Sequence, residues 1–427
     1  MDRESVQNYR GALGACVIIA VAGIVMGDYR TIPEGMKIMF FDNALLITDY
    51  IALVGIAAAF INVSLVMFFS MALMWFNKLQ MNGKGIFTMG LMGGFAFFGK
   101  NIYTMWPILL GTYLLSKLCK EKFAKNLILG LLATSLGPAV GVAYLFNGVS
   151  GLSVFAALLV GVVIGFVIPL LAVHTAKLLN GYNLYNGGFA VGLLALILVP
   201  VMQGFKFVFE HESIWSTGNN EQFAVFLYFM AVVCILIGYL ADKKNAFHNY
   251  INILKRPGVA KDDFLDLDGI GAVMVNMGVN TIICVSYVLI IGGDLNGPTM
   301  GSILTIMGFS ANGKHARNIV PIIIGVFIGS VINPSATPQS PGVQMAAFLG
   351  TTLAPIAGTY GFFPGIFAGI FHSFTILKIG VAYAAANLYN NGFCGGIVSV
   401  VVHPVYDKFF KKNTYSEPSV SRISKKV

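Results

Sequence analysis

Apolar runs long enough to cross a bilayer recur from one end of this chain to the other. They include residues 11–27, 50–76, 151–173, 222–241, 270–292 and 361–377, and roughly 18 or more such residues, coiled as a helix, span about 30 Å of hydrocarbon. None alternates as a membrane β-barrel strand does, and most carry the Gly, Ala and Ser that let helices pack closely in lipid. Charged residues make up only 11% of the 427, against about 25% in a soluble domain. The expected class is therefore an all-α polytopic membrane protein.

The net charge of +9 does not point to nucleic acid, because the basic residues sit in a few short loops and the C-terminal tail. Their expected partner is the cytoplasmic face of the lipid bilayer. Cys16, Cys119, Cys234, Cys284 and Cys394 lie in or beside apolar segments without CxxC spacing, so neither a disulfide framework nor a metal site is expected. Residues 1–10 are mixed in charge and no small-residue cleavage site follows, which reads as a retained first helix.

Compared with itself, the sequence repeats at an offset of 214. Asp28 falls on Asp242, Asp49 on Asp263, Gly55 on Gly269, Asn62 on Asn276, Asn82 on Asn296 and Gly83 on Gly297. Gly94-Phe95 falls on Gly308-Phe309, Gly99-Lys100 on Gly313-Lys314, Pro107 on Pro321 and Gly111 on Gly325. These are mostly Gly, Pro, Asn, Asp and Lys, which apolar bias alone does not align. The offset becomes 217 at Pro138 and Pro355, then 204 where NLYNGGF (183–189) meets NLYNNGF (387–393). Two tandem copies, 1–213 and 214–407, are followed by a basic tail, 408–427.

Loop Lys and Arg orient a membrane protein. Residues 241–262 hold five (Lys243, Lys244, Lys255, Arg256, Lys261), residues 117–125 four, and the tail after Asp407 six. These loops read as cytoplasmic, as do both termini. Residues 205–221 hold only Lys206 among three glutamates, and 291–299 hold none; these read as external. The first copy thus ends outside and the second inside, so each crosses an odd number of times and the copies are inverted. Five crossings per copy fit: 11–27, 50–76, 126–146, 151–177 and 188–204 in the first, with counterparts in the second. Residues 84–117 begin and end on the cytoplasmic side, and their first arm, 86–97, is about 18 Å of helix, too short to cross. A re-entrant hairpin with its tip at FFGKN is expected, and a counterpart over 298–332 with its tip at SANGKHARN. Two thin full crossings per hairpin would keep the same parity.

Inverted repeats with broken helices meeting near the midplane are the architecture of solute pathways, and irregular backbone at that depth requires protein or water around it. Four constellations follow. The tips carry Lys100 and Asn101 in one copy and Lys314, His315 and Arg317 in the other; charge within the membrane is by default functional, unless these residues sit at a water interface. Thr134 and Ser135 precede Pro138 as Thr351 and Thr352 precede Pro355, either to line a polar path or to serve carbonyls that the proline frees. Asn183, Tyr185 and Asn186, with Asn387, Tyr389 and Asn390, open a Gly-rich helix whose N-terminus suits an oxyanion; a tight interhelical turn is the other reading. Asn62 and Asn276 fit interhelical hydrogen bonds. Asp49, Asp263, Asp266 and Asp268 fit helix caps as well as a cation. The six histidines do not cluster, and HExxH, GxSxG and Walker patterns are missing. No catalytic residue, metal or cofactor is expected.

The doubled motif and its NLYN-x-GF element resemble an uncharacterised family of bacterial membrane proteins with a tandemly repeated domain of unknown function. GYNLYNGGFAVGLL (181–194) is also similar to the GYNG-x-L-x-G segment of urea transporters, which implies two inverted halves of five helices with re-entrant segments. Their LP-x-F-T-x-PFN stretch has no counterpart here. The expected function is a transporter or channel of the cytoplasmic membrane for a small polar or anionic solute, the path lying between the repeats. A membrane-embedded enzyme and a non-transporting scaffold are the other classes, and homo-oligomerisation is left open.

Overall fold

The computed structural model describes residues 1–210 and 212–410; most of the basic tail, from 411 on, lies outside the described residues. The first copy comprises α1 (Arg3–Met26), α2 (Ile32–Phe40), α3 (Tyr50–Val54), α4 (Ile56–Phe76), α5 (Gly83–Phe95), α6 (Ile102–Leu118), α7 (Phe123–Ala133), α8 (Gly137–Tyr144), α9 (Gly151–Leu179) and α10 (Asn186–Gly204). The second comprises α11 (Asn220–Asp242), α12 (Lys244–Lys255), α13 (Phe264–Ile290), α14 (Gly297–Phe309), α15 (Ala316–Ile332), α16 (Pro341–Leu349), α17 (Ala354–Tyr360), α18 (Phe362–Ile379) and α19 (Asn390–Phe410).

The copies correspond element by element, and even the kinks agree. Gly55 separates α3 from α4 at φ +85° and ψ 167°, and Gly269 breaks α13 at φ +83° and ψ 165°, a left-handed region that glycine enters at little cost. Asp49 caps α3 by accepting from the N–H of Ile51, and Asp263 caps α13 by accepting from those of Leu265 and Asp266.

Eight helices among the described residues are long and apolar enough to cross a membrane. They are the five expected spans of the first copy, with α7 and α8 counted as one, and α11, α13 and Phe362–Tyr383 of the second. The counterparts at α16–α17 and α19 fall short of that measure: Pro341, Gln344, Thr351, Thr352 and Pro355 make the first less apolar, and α19 carries Asn390, Asn391, His403, Asp407 and Lys408. Two further helices, α2 and α12, occupy stretches that hydropathy leaves as loops.

Lipid tails are as apolar as leucine, so helices in a bilayer are held by close packing and hydrogen bonds rather than by escape from water. The centre of this fold follows that rule. Helices α5 and α14 lie antiparallel, with Gly90 against Gly308 and Gly94 against Gly301, so close that a Cβ on Gly94 would stand 2.3 Å from the Gly301 carbonyl oxygen. Each is 13 residues, about 20 Å of helix. The start of each meets the turn that ends the other: a Cβ on Gly83 would lie 2.7 Å from the Ala311 oxygen, and one on Gly297 2.9 Å from the Phe97 oxygen. The largest cluster of buried apolar side chains draws on both copies, among them Phe95, Phe98 and Met105 with Phe309, Phe348 and Tyr389.

Candidate functional site

Asn82 and Asn296 start the two hairpins, accepting at the first turn from the N–H of Gly85 and Thr299. Each arm ends in a tight turn that only glycine turns cheaply, Gly99 at φ +97° and Gly313 at φ +93°. Carbonyls of such a turn have no helical partner and lipid offers none. Asn62 meets this demand by donating to the oxygens of Ala96 (2.8 Å) and Lys100 (2.9 Å), and Asn276 donates to those of Ser310 (2.8 Å) and Lys314 (2.7 Å). Their side chains thus hold the tips, as the interhelical reading expected.

The tip lysines are delivered to the opposite copy. Lys100 Nζ donates to Tyr389 Oη at 2.8 Å and lies 3.4 Å from Met92 Sδ. Lys314 Nζ donates to Tyr185 Oη at 2.5 Å and to Thr351 Oγ1 at 2.7 Å. Each ammonium also lies over the ring of its tyrosine, 4.8 Å and 4.4 Å from the centroid, an attraction that grows as water is removed. Both lysines are fully buried, not at a water interface, and among the described residues neither has a carboxylate partner.

Those tyrosines are set by the NLYN elements. Asn183 and Asn387 side chains accept from the N–H of Tyr185 (3.1 Å) and Tyr389 (2.9 Å), an Asx turn that stops the chain before α10 and α19. The Leu184 N–H donates to the Thr352 oxygen and the Leu388 N–H to the Ser135 oxygen. These acceptors lie in the 3₁₀ turns Thr134–Leu136 and Gly350–Leu353, opened just before Pro138 and Pro355. Helices α10 and α19 then cross at Gly188 and Gly392, where an added Cβ would meet the partner backbone at 3.1–3.2 Å, and Phe189 stacks on Phe393.

Between the copies remains a cavity of about 30 Å³, lined by Phe87, Phe95, Phe309, Tyr185, Tyr389 and Asn186 among others. The lysine side chains stand behind their tyrosines rather than on its wall. Phe95 and Phe309 pack on Tyr389 and Tyr185 at 4.6 Å each; their signal in the sequence is the repeated Gly-Phe pair.

The other candidates divide. Thr351 and Thr352 join the site, Thr352 accepting from the Tyr185 N–H and donating to Asn183 Oδ1. Thr134 donates back to the Leu131 oxygen at 2.6 Å, which is not the carbonyl that Pro138 leaves free; that one, of Thr134, accepts from the Gly137 N–H, and the Ser135 hydroxyl has no partner among the described residues. Asn101 caps α6 and donates to Tyr50 Oη. Asn390 accepts from Tyr383 and stands off the cavity, where Asn391 takes its place. His315 faces the Arg256 oxygen at 3.0 Å, and Arg317 is exposed on α15, so the structure brings neither to the cavity. His372, which periodicity hides among apolar neighbours, is buried 2.9 Å from Asn391 Oδ1. The aspartates serve as caps and ties: Asp268 pairs with Arg256, and burial holds the carboxyls of Asp49 and Asp263 above the usual aspartate range.

No curated protein and no solved structure matches the chain, so the likeness of residues 181–194 to urea transporters gains no support from relatives. A family model described as "Protein of unknown function (DUF1576)" matches twice in tandem, over residues 29–204 and 242–408. By those two matches, which cover most of its length, the chain belongs to the DUF1576 family.

Proposed function

We propose that this chain is a transporter or channel for a small anion, carried along the seam between two inverted repeats in the cytoplasmic membrane with both termini inside. The observation that carries the reading is the pair of buried lysine amines, Lys100 and Lys314, each on a tyrosine of the other copy beside one shared cavity. A charge taken out of water costs several kcal/mol unless it is compensated. Here the described residues supply hydroxyls and aromatic faces but no counter-ion, which suits a site whose counter-ion is cargo. The tyrosine O–H groups, each accepting from a lysine, keep a proton to donate to such an anion. The first turns of α10 and α19 add free N–H groups and the positive ends of their dipoles.

Size follows from the cavity. At about 30 Å³ it exceeds the roughly 10–15 Å³ that one water needs and suits a small anion rather than a large metabolite. Inversion is supported by the loop charges and by the antiparallel α5 and α14, equivalent helices that run in opposite directions. Five crossings and one hairpin per copy complete the proposed topology, each hairpin tip reaching the start of α3 or α13 in the chain.

The test is anion flux from proteoliposomes loaded in turn with chloride, fluoride, nitrate or formate. Flux of at least one anion that falls at least tenfold in Lys100→Met/Lys314→Met supports the reading; flux of none, or flux indifferent to that double substitution, removes it. A non-transporting scaffold is the second reading, favoured by how little space the packed centre leaves, and it predicts no flux of any anion.

A further inference from the structure

Helix α12 and the residues around it differ in charge from their equivalent in the first copy, and α12 is built onto the tip that carries Lys314. Its equivalent, α2, contains one acid and one base, Glu34 and Lys37, 3.7 Å apart. From Lys243 to Lys261 the second copy has Lys243, Lys244, Lys255, Arg256 and Lys261 and no acidic residue. Lys243 turns the chain sharply at φ +50° between α11 and α12, so α12 leaves the end of a membrane-crossing helix rather than extending it.

The faces of α12 are distinct. Ala246 and Ile253 are buried, and Ile253 packs with Phe264, Leu265 and Ala311. The other face exposes Lys244, Phe247, His248 and Ile251, with Phe247 44% and Ile251 51% accessible. Two large apolar side chains flanked by lysines at helical spacing are the pattern of a helix lying in the membrane interface, rings and methyls at the acyl boundary and ammoniums among the phosphates.

Beyond α12 the chain is tied to α13 and, at four points, to the hairpin tip. Arg256 grips Asp268 with Nε and one terminal nitrogen at 2.7 and 2.9 Å, and its carbonyl meets His315 Nε2. Gly258 packs against Gly313 so closely that a Cβ would lie 2.2 Å from the Gly313 oxygen. Asn312 donates to the Asp262 oxygen, and the Phe264 N–H to the Ala311 oxygen. Residues 311–315 thus rest on the segment that α12 anchors.

We propose that α12 is a docking surface for the anionic phospholipids of the membrane leaflet it lies in, with Lys243 and Lys244 on headgroup phosphates, and that this docking steadies the Lys314 tip. Charge complementarity selects the occupant, because an exposed apolar pair bracketed by cations fits an anionic lipid surface and repels a second copy of itself. The inference stands whether or not the chain moves an anion.

The full-length protein in nanodiscs of phosphatidylcholine, with or without phosphatidylglycerol, provides the test. One arm measures phosphatidylglycerol retained on the protein by native mass spectrometry. At about fivefold per basic residue at an anionic surface, Lys243→Gln/Lys244→Gln lowers retention roughly thirtyfold, whereas Lys37→Gln in α2 leaves it unchanged. The other arm follows hydrogen exchange of residues 310–316, expected to slow in phosphatidylglycerol for the native chain and not for the double variant. Equal retention by the native and double-variant proteins, or exchange at 310–316 indifferent to lipid in a folded native chain, overturns the proposal. So does a lipid-independent dimer cross-linked through Phe247, which would make a second copy the occupant.

Discussion

The carboxylate of Asp263 accepts the backbone N–H of Gly83 at 3.2 Å, so an aspartate of the second copy holds the first N–H of the short helix α5 in the first. Asp49 and Gly297 repeat the bond in the other direction, and Asp49 also accepts from the Ser216 N–H and hydroxyl at 2.8 Å. Each aspartate caps its own helix and its neighbour's hairpin together. The α5–α14 pair is therefore clamped at both ends by residues 214 positions apart in sequence.

Loss of either clamp leaves orphan N–H groups on two helices where lipid cannot serve them. Asp263→Ala and Asp49→Ala are each expected to lower stability by about 1–2 kcal/mol per lost cap. Thermal unfolding in detergent checks this, and Asp263→Asn, which retains an acceptor oxygen, should recover most of the loss.

Lys100→Met and Lys314→Met separate structural from functional use of the lysines. Burying a lysine with no carboxylate partner costs stability, so an apolar side chain of similar length is expected to be neutral or to raise the unfolding temperature. Tyr389→Phe and Tyr185→Phe have the opposite sign, costing about 1–3 kcal/mol because an acceptor is withdrawn from a charge that stays buried. In a double-mutant cycle, Tyr389→Phe should cost little once Lys100→Met is present, and additive losses would show that the contact carries no coupling.

The glycine seam tolerates no added methyl. A Cβ at Gly301 would stand 2.1 Å from the Gly94 oxygen, whereas Gly11 and Gly14 have open space. Gly301→Ala is expected to cost about 1–3 kcal/mol through forced separation of the helices, and Gly11→Ala almost nothing. Chemical or thermal denaturation of the two variants side by side decides it.

Thiol labelling tests the orientation without any substitution. Cys119 is exposed in the loop that follows α6, and the other four cysteines are buried. A membrane-impermeant maleimide should label Cys119 in inside-out vesicles and leave it untouched in intact cells whose outer barrier is permeabilised. Labelling from outside would reverse the assigned topology.

Sequence by itself determined the parts of this protein that depend on local composition and on self-similarity. Apolar run length, the doubled Gly, Pro, Asn and Asp positions, the tip lysines and the NLYN elements are each written within one segment, and the physics of a bilayer leaves few structures for such segments. Helices α2 and α12 escaped that reading because they mix charge with apolar residues and contain no long apolar run, although their two-faced helical period was there to be read. His372 escaped it because one imidazole among apolar neighbours carries no spacing signal. Pairing was decided only by the tertiary structure. Lys100 lies 289 positions from Tyr389 and Lys314 lies 129 from Tyr185, and no local rule selects the opposite copy's tyrosine over the lysine's own. That choice comes from the crossing of α10 with α19 at Gly188 and Gly392 and from the antiparallel contact of α5 with α14. Only when two helices approach at backbone distance do the side chains of one copy reach the cavity of the other.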